Sequence, residues 1–491
     1  MSEELEDAES RHARLSALDR AHVWHPFTQM QTWLEPLPGD EPLIIDHARG
    51  SWLFDTRGRK YLDAISSLWV NIHGHRKAEI DSAIKLQLST VAHSTLLGLA
   101  SPPSIELAAE LVARAPKAEG APPLTRVFYS DSGSTAVEVA LKMAFQHWRQ
   151  RGKPKKSKFV ALAEGYHGDT IGSVSVGGMD LFHQIFQPLL FDVMRIPMPY
   201  TYRWPTGPRH CLEAAALAAE AVISGRRDEI AALIIEPIMQ GAAGMIAHPP
   251  GYLARIAKAC RDNGVLLICD EVATGFGRTG TMFACEQEGV VPDLLCVAKG
   301  LSGGYLPLAA TLATDAIYES FLGPFESRKT FFHGHSYTGN PLACAAALAS
   351  LRLFDEERTL AHVRTMADRL ANGLAGIAKL PHVGDVRQRG LMIGIELVKD
   401  KKSKEEYRYS ERMGHRVCLA ARGRQVMLRP LGNVIVLVPP LSISPQEVDL
   451  LVDAVHASIA EVTGAAASKG GGEGAGAAKA EADPQAHGGQ L

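Results

Sequence analysis

Lys299 closes the apolar run DLLCVAK, and glycines follow it in GLSGGYLPLAA. An ammonium group rarely sits in such a run, because taking it out of water is costly unless it is paired or neutral. Only the neutral amine attacks an aldehyde, so a desolvated lysine beside glycines suits Schiff-base chemistry. The plain alternative is a strand-end lysine that reaches solvent. Twenty-nine positions earlier the run VLLICDEV (265–272) ends on Asp270 and Glu271. A carboxylate delivered by an apolar strand needs a cation or a hydrogen-bond donor to answer it. The segment that follows, GFGRTG (275–280), matches the dinucleotide pattern GxGxxG. Its glycines lie several residues beyond the strand, and TMFACEQEG does not read as the start of a packed helix, so a dehydrogenase fits poorly.

Two further segments fall after apolar runs. In SDSGSTAVE (130–138) Thr135 and Glu138 have capping-box spacing, which predicts a helix start. Gly133 permits close approach of a ligand, and the Ser134 hydroxyl with the free N–H groups of the helix end can hold a phosphate. In EGYHGDT (164–170) Tyr166 stands between glycines and can lie against a planar ring. Read structurally, the first is an ordinary cap and the second a turn with a half-buried tyrosine and a surface His167. Taken together, the four segments supply a phosphate cup, a stacking ring, a carboxylate and an amine. Pyridoxal phosphate has the matching parts: a phosphate, a flat ring, a ring nitrogen and an aldehyde.

These residues need rigid elements. Short apolar runs at RVFY (126–129), KFVALAE (158–164), AALIIEPI (231–238), VLLICDEV and PDLLCVAKG (292–300) alternate with helical periods such as GYLARIAKACRDNG (251–264). Such runs predict strands of a parallel sheet buried on both faces, hence an α/β fold whose ligand site lies at the carboxyl ends of the strands. The expected division is a segment 1–80 packing with a small domain, a large domain over 81–345, a small α+β domain over 346–463, and a Gly/Ala-rich tail over 464–491. The tail has too little apolar surface to offset its ordering entropy and is expected to be disordered.

The 491 residues carry 51 basic and 54 acidic side chains, a formal charge of −3. This balance gives no electrostatic footprint for nucleic acid, and the basic run RGKPKKSK (151–158) reads as a solvated loop. No apolar stretch approaches the ~20 residues of a membrane span. The acidic start MSEELEDAESRHARL is no signal peptide. Seven cysteines without a CxxC pair read as reduced and mostly buried, in a cytoplasmic protein without a metal site.

On DEVATGFGRTG followed by a strand ending in AKG, the chain resembles the class III aminotransferases, which are fold type I pyridoxal-phosphate enzymes, over nearly all of residues 20–463. WHPFTQM (24–30), SSLWVNIHGH (66–75), FFHGHSYTGNPLACAAA (331–347) and LRPLGNVIVLVPPL (428–441) are similar to those members that aminate 8-amino-7-oxononanoate in biotin synthesis. The resemblance implies that Lys299 carries the cofactor as a Schiff base and moves the proton, and that Asp270 pairs with the ring nitrogen. It implies phosphate binding by Gly133 and Ser134, and stacking by Tyr166. Gly334, His335 and Ser336 match a segment that enters the site from a second subunit, with Ser336 at the phosphate, so a homodimer is implied. Arg429 matches the arginine that binds the substrate carboxylate. Two positions depart from the pattern: Leu68 precedes Trp69 where a second tryptophan is usual, and Phe27 stands where a tyrosine is usual. Both shape the substrate pocket. The family's usual donor is S-adenosylmethionine; the two departures resemble the branch that takes lysine, which stands as the alternative.

Overall fold

In the computed structural model, residues 6–36 and 39–464 are described. Seven strands form the central sheet, in the order Leu124–Ser130, Ala309–Thr314, Leu294–Val297, Leu266–Asp270, Ile230–Ile235, Lys158–Leu162 and Val193–Ile196. Ala309–Thr314 runs antiparallel to both neighbours; all other pairs are parallel. Every residue of Ile230–Ile235 and of Leu266–Asp270 is buried. Helices cover the sheet, among them Gly133–Gln150, Cys211–Gly225 and Tyr252–Asp262. Burial on both faces explains why these strands read as unbroken apolar runs rather than as alternating ones.

Two four-stranded sheets flank this unit. Val383–Arg389, Met392–Leu397, Val434–Leu437 and Arg429–Leu431 form an antiparallel sheet. The N-terminal strands Ile45–Arg49, Trp52–Asp55 and Lys60–Asp63 join Val426–Met427, which pairs parallel to Lys60–Asp63. Trp52 Nε1 donates to Glu447 at 2.7 Å, a second tie between the two ends of the chain. Buried Arg387 fastens the antiparallel sheet to the large unit: it donates to the carbonyls of Gly244 and Met245 and pairs with Glu396 at 2.8 Å.

Several local expectations are corrected. Strands Val193–Ile196 and Ala309–Thr314 were not legible as apolar runs with turn signals; the first is four residues long and the second is rich in alanine and threonine. The helix over 133–150 starts three residues before the expected box: Ser132 is the N-cap, and the reciprocal pair is Ser132 with Thr135. Glu138 instead turns to the next loop and accepts the Gly172 N–H at 2.6 Å. The basic run 151–158 is not wholly solvated, since Lys156 is buried and donates to the carbonyls of Arg227, Ile230 and Gly264. All seven cysteines are free and buried. The tail expected over 464–491 lies, except for Gly464, outside the described residues.

Candidate active site

The site collects where the strands end. Asp270 is the last residue of its strand and is buried. One carboxylate oxygen accepts the Val272 N–H at 3.0 Å; the other lies 2.7 Å from His167 Nδ1. Burying a carboxylate without such partners would cost several kcal/mol. His167 is therefore not on the surface, as the simple turn reading had it, but buried against Asp270. Alternation along the strand sends Glu271 the other way, where it accepts from Thr274 Oγ1 and the Cys285 N–H. Of the two acidic residues, only Asp270 contacts the EGYHGDT loop.

Lys299 stands two residues beyond the strand Leu294–Val297 and opens a short 3-10 turn. Its φ of 43° is left-handed, a conformation that a non-glycine residue adopts only when its surroundings impose it. Burial holds the ammonium below its ordinary pKa, against the opposing pull of Asp270 and Glu236. Nζ lies 4.7 Å from the centroid of the Trp69 ring. That ring is carried by a run of four residues at positive φ: Ser66, Ser67, Leu68 and Trp69. Asp63 braces the run by accepting from the Ser67 N–H at 2.9 Å and its hydroxyl at 3.0 Å. Trp69 is thus buried against the site, while Leu68 is 44% exposed.

At the phosphate-like cup, the N–H groups of Gly133 and Ser134 have no acceptor among the described residues. The Ser134 hydroxyl accepts from the N–H groups of Asp169 and Thr170 at 3.0 and 2.9 Å, which binds the cup to the Tyr166 loop. A Cβ on Gly133 would fall 2.5 Å from Val272 Cγ1, so this glycine serves packing against the turn that follows Asp270. Tyr166 donates its hydroxyl to Asp169 at 2.8 Å and its N–H to Glu236 at 3.1 Å. Phe182 touches Phe27 and Tyr166 edge-on, at ring separations of 5.5 and 6.4 Å. Phe27 is thereby brought near Tyr166.

The remaining candidates stand apart within one chain. Gly334 and Ser336 are exposed. Ser336 accepts from His93 through its carbonyl, and His335 Nδ1 lies 3.8 Å from Asp131, at the start of the cup. No hydrogen bond from 334–336 reaches Lys299, Asp270 or Tyr166 among the described residues. Arg429 is exposed, and its guanidinium has neither an ion pair nor a hydrogen bond among the described residues. Glu236, His167 and Phe182 were missed as site residues by sequence reasoning. Only for Glu236 did a signal exist, at the end of the apolar strand run AALIIEPI.

A sequence profile described as "Aminotransferase class-III" matches residues 37–459. The adenosylmethionine-8-amino-7-oxononanoate aminotransferase of Nitratidesulfovibrio vulgaris is 57% identical over 93% of this chain and 83% of its own. The crystal structure of the like-named enzyme from Methanocaldococcus jannaschii has a TM-score of 0.86 at 46% identity, covering 92% of this chain and 99% of that one. An ω-transaminase of Pseudomonas jessenii in complex with PMP has a TM-score of 0.87 at 32% identity, covering 93% and 100%. This chain belongs to the class III aminotransferases.

Proposed function

We propose that the enzyme transfers an amino group from S-adenosylmethionine to the ketone of 8-amino-7-oxononanoate, giving 7,8-diaminononanoate for biotin synthesis. The observation that carries this reading is 57% identity, over 93% of the chain, to a relative whose name states both substrates. Further relatives at 51% and 46% identity share that name, which favours S-adenosylmethionine over lysine as donor. The aromatic groups Trp69, Phe27 and Phe182 suit a sulfonium, since a cation over a ring gains about 0.5–2 kcal/mol.

Pyridoxal 5′-phosphate is the cofactor. The residues fit it: a helix start with two unused N–H groups, a buried carboxylate, a lysine held below its ordinary pKa and an aromatic ring on an adjacent loop. When bound, the cofactor supplies an electron sink that lets the C–H bond beside the transferred amine break. Lys299 Nζ, kept readily neutral by burial, takes up and returns the proton at that carbon. Asp270, aligned by His167 and the Val272 N–H, would pair with the ring nitrogen. Gly133 and Ser134 would hold the phosphate at the helix start. Tyr166 would stack on the ring. Trp69, Leu68 and Phe27 wall the substrate space, and Arg429 takes the substrate carboxylate in a bidentate pair.

A homodimer belongs to the same reading. Leu86, Leu88, Leu97, Phe332 and Tyr337 are exposed apolar groups, with Leu97 at 90% and Phe332 at 78%. A second copy would cover such a surface and bring Gly334, His335 and Ser336 to the neighbouring site. We assign residues 81–345 to the cofactor-binding domain and 346–463 to the small domain, with 1–80 packing on the latter. No helix among the described residues is long and apolar enough to cross a membrane; a cytoplasmic location agrees with the chemistry. The test supplies 8-amino-7-oxononanoate with S-adenosylmethionine or with lysine and measures diaminononanoate. Product with S-adenosylmethionine is expected. Product with lysine alone refutes the donor assignment, and product with neither refutes the substrate.

A further inference from the structure

Glu236 has no part in the roles above, yet it joins the segments that carry two of them. It is buried, follows the strand Ile230–Ile235 by one residue, and directs its two carboxylate oxygens at two different segments. Oε1 accepts the Tyr166 N–H at 3.1 Å and Oε2 accepts the Gly241 N–H at 2.9 Å. Tyr166 belongs to the loop whose next residue, His167, holds Asp270. Gly241 lies beneath the other wall: a Cβ placed there would be 3.0 Å from Trp69 Cζ3 and 3.6 Å from Glu236 Oε2. Trp69 in turn covers Lys299 Nζ. One carboxylate therefore ties together the peptide of the ring-facing tyrosine and the peptide under the tryptophan that borders the reacting amine.

Resting on the function proposed above, we propose that Glu236 is a positioning residue for transamination, setting the separation of the Tyr166 and Trp69 walls of the site. The ionised carboxylate suits this task because it is acceptor-only, with an oxygen for each N–H. An amide must turn its NH2 donor toward one of those N–H groups, and a protonated carboxyl has only a weaker hydroxyl acceptor for it, so the second tie is lost or weakened. The charged and titratable groups facing Glu236 are His167, Asp270, Tyr166 and Lys299. Burial, with Asp270 adding to it, pushes the Glu236 carboxyl up to about 7 against the pull of His167. The two-tie form is thus the one that gains population as pH rises through neutrality.

The test compares Glu236→Gln and Glu236→Asp with the unaltered holoenzyme, each saturated with pyridoxal phosphate. Visible absorbance, thermal midpoint, and kcat and KM for each substrate are recorded from pH 6 to 9. Glu236→Gln is expected to keep the visible band while kcat falls about 10- to 100-fold, the scale of a misplacement near 1 Å. KM should change less than threefold, and the acid limb of kcat near neutrality should flatten. Glu236→Asp, which keeps the charge on a shorter stem, should recover part of kcat and the acid limb. If the glutamine protein does not fold, the aspartate protein decides alone, since a kcat within twofold of the unaltered enzyme overturns the proposal. So does a glutamine protein with unchanged kcat and a lowered midpoint, which marks a purely structural carboxyl. Failure of the underlying reading is separate: the unaltered protein would then show neither visible band nor turnover.

Discussion

The Asp270–His167 pair permits a quantitative test of how the buried carboxylate is held in place. Both side chains are buried, and their contact is one of two hydrogen bonds that the Asp270 carboxylate accepts among the described residues, the other coming from the Val272 N–H. Replacing His167 by leucine fills a similar volume in a loop where a Cβ on Gly165 would lie 3.2 Å from the ring, and it strips the donor from one carboxylate oxygen. A hydrogen bond to a charged group contributes about 1.5–3 kcal/mol, which at 1.4 kcal/mol per decade is a factor of about 10 to 150. With one of its two donors gone, the Asp270 carboxylate is less well held, and its pairing with a ring nitrogen should weaken by up to that factor. The assay is cofactor affinity by titration of the visible band together with kcat under saturating substrates. His167→Leu should lose about 10- to 100-fold in the two combined. His167→Asn, whose amide can donate from near the Nδ1 position, should stay within about threefold. A leucine protein with unchanged affinity and unchanged kcat would refute the reasoning, because Asp270 would then be shown not to depend on His167.

Three further outcomes follow from the geometry. Lys299→Ala should lose the visible band of the lysine-linked cofactor and lose turnover, checked by absorbance and product formation; a retained rate would remove Lys299 from its role. Arg429→Ala should raise KM for 8-amino-7-oxononanoate about 10- to 100-fold, from a charge-assisted pair of about 1.5–3 kcal/mol, with the thermal midpoint unchanged because the guanidinium is exposed and unpaired. The pH dependence of stability has a defined sign. Burial lowers His73 and His147 to about 4 and His248 to about 3, so below pH 6.5 the unfolded chain binds protons that the fold refuses and stability falls. Burial raises Glu164, Glu236 and Glu271 to about 7, so between pH 7 and 4.5 the fold holds protons that the unfolded chain releases, and stability gains as pH falls. The two sets oppose each other down to about pH 4.5, below which the histidine loss continues and is joined by that of carboxyls the fold holds low, such as Asp55 and Glu396. Scanning calorimetry should find a nearly flat midpoint from pH 7 to 5 and a fall of about 5 °C or more by pH 3.5; a steady decline beginning at pH 6.5 would contradict this balance.

The large sheet was legible where its strands are buried on both faces, because Ile230–Ile235, Leu266–Asp270 and Leu294–Val297 then have no polar alternation to confuse with a helix. Ala309–Thr314 was not, since alanine and threonine carry little apolar signal even where every residue is buried. The helix over 133–150 was legible from its apolar period, but its start was misread by three residues because Thr135 satisfies a box with either Ser132 or Glu138. Only the position of the loop 170–173 decides that Glu138 turns away to cap it.

The residue types themselves determined the chemistry: a lysine and an aspartate at the ends of apolar strands, a Ser/Gly helix start and a tyrosine between glycines admit few cofactors. Covalent order carries this information because each strand end delivers its own residue to the same edge of a parallel sheet. Tertiary structure alone decided which groups support them. His167 and Glu236 lie 103 and 70 positions from partners that they contact at 2.7 and 3.1 Å. Trp69, from a strained N-terminal turn, covers a lysine encoded far downstream. Such contacts depend on how separate loops meet above the sheet, and no spacing along the chain encodes that meeting.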